Sequence, residues 1–190
     1  MIRRILLVTL LACPFFMSAQ KKKSNKQLEE QVRKAKEDAA MSEKQHPSKP
    51  AATPGAKLPS FQFVSAEGPR ITKENLVPDQ PLLLVLFNPM CDHCQKVATE
   101  VKENITKFKN INILFVCGMN PMKEIPNFIR AVGLEKYPTI KIAASPEEYM
   151  NQLFESKGIP QIMMYNKDLI LQKVIYESID VEKALLYLKK

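Results

Sequence analysis

Six consecutive apolar residues, Leu82-Leu83-Leu84-Val85-Leu86-Phe87, constrain this chain more than any other feature. A strand with no polar side has no face to offer water, so it must lie in the middle of a sheet covered on both sides. Helices are the covering that a parallel sheet brings with it. The pattern repeats at Ile111-Asn112-Ile113-Leu114-Phe115-Val116-Cys117, closed by Gly118, and again at Thr139 to Ala143. Between the first two runs, Cys91 to Phe108 reads as a helix, with Val97, Val101, Ile105 and Phe108 on one face. Pro126 to Val132 predicts a short helix ending near Gly133, and Pro146 in a first turn predicts another reaching about Ser156.

Shorter elements flank this alternation. Phe61 and Phe63, with a turn at Glu67-Gly68-Pro69, predict a strand pair, and Ile71-Thr72 runs towards a turn near Leu76. Gln161 to Tyr165 and Leu169 to Tyr176 are joined by the turn Asn166-Lys167-Asp168, hence antiparallel. Asp180 caps a last helix, Val181 to Leu188. The sum is an α/β fold: a central mixed sheet flanked by helices.

The N-terminal part differs in kind. Met1-Ile2-Arg3-Arg4, the apolar stretch Ile5 to Met17 and the small pair Ser18-Ala19 follow the order of a secretory signal peptide. The apolar stretch is shorter than the roughly 20 residues a membrane span requires. We expect residues 1–19 to be a signal peptide, which places the mature protein outside the cytoplasm, in a bacterial periplasm. The alternative is lipid attachment at Cys13 of Leu10-Leu11-Ala12-Cys13, and membrane association is expected only there or if the leader is uncleaved. Residues 20–57 read as a spacer: a charged helix with Leu28, Val32, Ala35 and Ala39 on one narrow face, then a linker with Pro47, Pro50 and Pro54. His46 stands alone there as a solvated side chain. Residues 58–190 are the expected globular domain.

Charge follows the same division. The net charge is +8, but residues 1–57 hold 12 Lys/Arg against 5 Asp/Glu, whereas residues 58–190 hold 16 against 15. The globular part therefore lacks the basic surface of a nucleic-acid binder. With 2 His and 4 Cys in the chain, neither a His-rich metal site nor a disulfide scaffold is expected.

The chemistry concentrates in Asn88-Pro89-Met90-Cys91-Asp92-His93-Cys94-Gln95, directly after a buried strand and opening a helix. A C-x-x-C pair in that context reads as a redox motif. The first cysteine stands at the helix N-terminus, where free N–H groups and the macrodipole favour a thiolate, the attacking species in exchange. Cys91 is the expected nucleophile, Cys94 the resolving thiol, and His93 a source of positive charge beside the thiolate. Three other readings compete. A structural disulfide across so small a loop stabilises little. Half a zinc site needs a second pair, and Cys117 alone remains in the expected domain. A peroxidatic cysteine calls for Thr where Asn88 stands.

These residues resemble the thioredoxin superfamily, and most closely the extracytoplasmic TlpA/ResA-like redoxins, over about residues 58–190. The resemblance rests on the strand before the cysteine motif, on an inserted helix–strand–helix over 126–156 and on Gly158-Ile159-Pro160. It implies a thioredoxin-like fold with an N-terminal strand extension. It also implies a cis Pro160 beside the disulfide, and Ile159 and Met90 as residues that meet a bound substrate. The implied activity is a thiol–disulfide oxidoreductase, a monomer with no cofactor, acting on protein thiols and disulfides and recharged by an upstream redox partner. Three departures bear on direction. Val85 and Val97 stand where relatives carry an acid, and Met90 stands where Trp is usual. Cys-x-His-Cys resembles the oxidases, whereas Ile before the proline resembles the reductases. The reductase direction is expected over the oxidase. A redox-inert thioredoxin-like binding module is the alternative from another class, and a copper chaperone a third. Cys117 is expected to be a buried, inert thiol at the active-site end of its strand.

Overall fold

The computed structural model describes Arg33 and residues 51–190, Glu67 excepted. The expected signal peptide, Cys13, the spacer helix apart from Arg33, and His46 lie outside the described residues, as does Glu67 of the first turn.

A seven-stranded sheet organises the domain: β1 Gln62–Ser65, β2 Arg70–Thr72, β3 Leu82–Phe87, β4 Asn112–Gly118, β5 Ile140–Ser145, β6 Gln161–Tyr165 and β7 Leu171–Tyr176. The order across it is β2-β1-β5-β4-β3-β6-β7. The middle strands β3, β4 and β5 are parallel, and β6, β7, β1 and β2 extend the sheet antiparallel on either side. The apolar run Leu82–Phe87 is thus flanked by β4 and β6, with every residue buried.

The two faces of β3 go to two cores. Leu83, Val85 and Phe87 pack with helices α1 (Asp92–Glu103), α2 (Ile125–Val132) and α4 (Val181–Leu188). Leu82, Leu84 and Leu86 pack with α3 (Glu147–Phe154) and with Leu58, Phe61 and Phe63. This is the strand alternation at work, with helices on both sides because both sides are apolar. Under α1 and α2 the rings of Phe87, Phe115 and Phe128 interlock, with centroids 4.7 to 6.5 Å apart. Burying each such ring stabilises the fold by about 1.5–3 kcal/mol.

Several boundaries differ from expectation, among strands by one or two residues and most clearly at two helices. The first helix ends at Glu103 and the chain tightens into a 3-10 turn over Ile105–Phe108. The apolar spacing continues across the break because Ile105 and Phe108 still face the core, so periodicity alone does not register it. Helix α3 starts after Pro146, which is its N-cap rather than a first-turn residue, and ends at Phe154, where Glu155 takes a left-handed φ of 46°. Helix α2 ends as expected at Gly133, whose φ of 74° suits a residue without Cβ. Asp180 caps α4 through the Lys183 N–H.

Packing of the chain begins before Leu58. The Gly55 N–H donates to Leu171 O at 2.7 Å, the Leu171 N–H to Ala56 O at 2.8 Å, and Ala56 is 2% exposed. A protein cut to begin at Ala51 keeps these contacts. One cut at Leu58 loses two backbone hydrogen bonds, about 1–3 kcal/mol. Equal midpoints for the two truncations would show that this segment contributes nothing.

Candidate active site

The site grows from the end of β3. Asn88 follows the strand directly and turns the chain: its side-chain Oδ1 accepts from the Met90 N–H at 2.9 Å and its carbonyl from the Cys91 N–H at 3.0 Å. An asparagine that hydrogen-bonds the backbone two residues on is a standard way to start a turn. Cys91 is then the N-cap of α1, with extended dihedrals, and the Gln95 N–H closes the first helical turn onto its carbonyl at 3.0 Å. The Gln95 side chain donates to Pro89 O at 3.0 Å, which fastens the loop to the helix it precedes. Cys91 thus stands where the helix leaves its first N–H groups free.

The two cysteines are unequal. Cys91 is half-buried and Cys94 fully buried, both as free thiols. Burial pushes the Cys94 thiol up to about 12; the Asn88 N–H, 3.5 Å from its sulfur, pulls the other way, and the neighbouring Cys91 thiol adds to the rise. At neutral pH Cys94 is therefore a protonated, enclosed thiol, and Cys91 is the one a partner can reach. Val85 and Val97, where an acid would assist Cys94, are 0% and 1% exposed in the apolar core. Neither supplies a proton acceptor.

The remaining expected residues fall around this pair in different ways. Leu86 pairs with Gln161, so Pro160 stands level with the end of β3 from which the chain runs to Cys91. The Ile159–Pro160 peptide is cis and Pro160 is buried, while Ile159 is 45% exposed. Met90, beside Cys91, is 64% exposed. Two large apolar side chains therefore lie open at the same end of the sheet. His93 is exposed on the first turn of α1. Cys117 lies opposite Phe87 on β4, fully buried, its thiol pushed up to about 12 by burial. It packs in the same core as Cys94. Among the described residues no three His, Cys, Asp or Glu side chains converge, and no helix is long and apolar enough to cross a membrane.

Sequence reasoning missed three residues. Asn88, straight after a strand, is itself a turn signal. Gln95 carries no signal of its own. Gln161 is marked only as a polar residue opening an otherwise apolar strand.

Residues 69–153 match the thioredoxin family model. No curated protein matches the chain in sequence. Among solved structures, a thiol:disulfide interchange protein of the thioredoxin family from Chlorobium tepidum TLS is 15% identical, with a TM-score of 0.59, covering 72% of this chain and 97% of that one. A secreted Mycobacterium tuberculosis disulfide oxidoreductase homologous to E. coli DsbE is 11% identical, with a TM-score of 0.56 over 67% of this chain and 93% of that one. The thioredoxin domain of a thiol-disulfide oxidoreductase from Bacteroides vulgatus is 12% identical, with a TM-score of 0.55 over 64% and 87%. At such identities the likeness is one of fold. The family match spans β2 to α3 and contains the Cys91–Cys94 motif, and the sheet around it is ordered as in a thioredoxin-like fold: residues 69–153 are similar to the thioredoxin family, and the domain has a thioredoxin-like fold.

Proposed function

We propose that this protein exchanges disulfides with protein thiols outside the cytoplasm and runs in the reductase direction, in the manner of TlpA/ResA-like redoxins. The observation that carries the exchange chemistry is the inequality of the cysteines, Cys91 reachable at a helix N-cap and Cys94 enclosed and protonated. The Cys91 thiolate attacks one sulfur of a substrate disulfide; a mixed disulfide forms and the other substrate sulfur leaves as a thiolate. Cys94 then gives up its proton, to the departing thiolate or to water, and attacks the Cys91 sulfur. The substrate leaves as a dithiol, two electrons have passed to it, and Cys91–Cys94 is oxidised. An upstream dithiol partner returns the pair to its reduced form. Exposed Met90 and Ile159 beside this centre favour protein substrates over small thiols, since both offer apolar area to a docked chain. Direction rests on Ile159 before Pro160, and location on the secretory order of residues 1–19.

The reduction potential of the Cys91–Cys94 pair tests the direction, because about 30 mV corresponds to 1.4 kcal/mol for a two-electron couple. A value near or below that of glutathione supports a reductase; one well above it identifies an oxidase. His93 enters here. A positive charge or donor beside Cys91 stabilises the thiolate, hence the reduced form, and so raises the potential. His93→Ala is expected to lower it by about 10–20 mV, the size of a charge effect at an exposed helix end. Identical potentials for wild type and variant in glutathione equilibration would remove His93 from the site.

A further inference from the structure

Strand β6 runs Gln-Ile-Met-Met-Tyr with all five residues buried, and its one carboxamide, that of Gln161, is 0% exposed. An amide is kept in such a place only when its polar atoms are paired. Both are. Nε2 donates to Phe154 O at 3.0 Å and rests 3.6 Å from the Met163 sulfur, while Oε1 accepts from the Lys157 N–H at 3.1 Å. The two backbone partners lie on either side of the left-handed Glu155 that ends α3. The first is a last-turn carbonyl that the helix leaves free, and the second is an amide of the following loop. The backbone of Gln161 is meanwhile paired in register with Leu86 on one side and Tyr176 on the other.

One side chain therefore ties α3, the loop and the sheet together. Between the anchored Lys157 and the anchored Gln161 only Gly158, Ile159 and Pro160 remain. Ile159 is 45% exposed on this short, tethered stretch. A contact surface held in place before binding saves the cost of ordering it on binding. We infer that Gln161 is a positioning residue for substrate capture, whose carboxamide holds the loop that presents Ile159 to a protein substrate. The inference rests on the proposed exchange with protein thiols and adds the residue that sets affinity for them. Gln161 touches neither cysteine in this scheme, so chemistry and capture separate.

The experiment measures reduction of insulin, as a protein disulfide, and of glutathione disulfide, as a small one, by the full chain recharged with dithiothreitol. Gln161→Met fills the same space without pairing Phe154 O or the Lys157 N–H. It is expected to raise KM for insulin about tenfold with kcat within twofold. The rate with glutathione disulfide and the reduction potential of the pair stay unchanged. Gln161→Asn keeps an amide too short to reach both partners, and is expected to raise the insulin KM about threefold. It carries the test alone if the methionine variant does not fold. An insulin KM within twofold of wild type in the folded variants overturns the inference. So does an equal loss on both substrates, which marks a collapsed site rather than a displaced loop. If wild type reduces neither disulfide, the exchange reading itself fails and takes this inference with it. If wild type reduces both and the variants match it, only the role of Gln161 is lost.

Discussion

Cys91→Ser is expected to lower disulfide exchange with a protein substrate by on the order of a thousandfold or more, to the level of the reductant alone. A serine hydroxyl is not ionised near neutral pH and does not attack sulfur, so no mixed disulfide forms. Cys94 does not take over. It is fully buried, and its thiol is pushed up to about 12, so at pH 7 its thiolate is scarce and enclosed. Cys94→Ser is expected to give the opposite phenotype. Cys91 still attacks, nothing resolves the product, and the protein accumulates as a mixed disulfide stable to gel electrophoresis without reductant. Alkylation with iodoacetamide at pH 6 and pH 7 offers a second reading of the same inequality. Cys91 should label while Cys94 and Cys117 stay unmodified until the protein unfolds. Equal labelling rates for Cys91 and Cys94 in folded protein would contradict the assignment of roles, and so would residual turnover in Cys91→Ser.

Much of this architecture could be read before the coordinates, because the central strands carry a signal that does not depend on context. Leu82–Phe87 has no polar residue to expose, and the two cores on its faces follow from that alone. Cys91 and Cys94 stand out in the sequence because their spacing and their place between a buried strand and a helix are those expected of a redox pair. What escaped was of another kind. The break after Glu103 keeps the apolar spacing intact across it, so no periodicity marks it. Gln161 and Asn88 act through hydrogen bonds whose partners are set by the loop geometry, and a side chain's partner is not written in its own type. The Gly55 and Ala56 contacts to Leu171 join segments more than a hundred residues apart within a stretch that composition alone assigns to a linker.

Stability in alkali is expected to depend on the redox state, by an amount large against the usual margin of a small domain. Burial pushes both Cys94 and Cys117 up to about 12, against an ordinary thiol value of 9.0. The sign follows from proton counting. Between pH 9 and 12 the unfolded chain has lost these protons and the folded chain still holds them. Unfolding then releases protons, and raising the pH favours the unfolded state. Stability contributed by the protonated thiols is complete below about pH 9 and is lost as the pH rises towards 12. Each thiol adds a slope of up to about 1.4 kcal/mol per pH unit, so the reduced protein loses up to about 2.7 kcal/mol per unit from the pair. Oxidation of Cys91–Cys94 removes the Cys94 proton from both folded and unfolded states, and with it half of this slope. The loop it closes is too short for the disulfide to add much stability of its own. Cys117→Ala removes the other half. Buried Tyr149 and Tyr165 are also shifted upward by burial and add their own losses, smaller ones, as the pH approaches 10. The clearest interval is pH 9 to 10, where the thiols titrate in the unfolded chain ahead of the tyrosines, which reach half ionisation there only at its upper end. Urea unfolding across it should show the steepest fall for reduced wild type, about two-thirds of that for oxidised wild type, and the flattest curve for oxidised Cys117→Ala. Parallel curves for the reduced and oxidised protein would mean that Cys94 is not held protonated by its surroundings. The inequality of the two active-site thiols would then lose its physical basis.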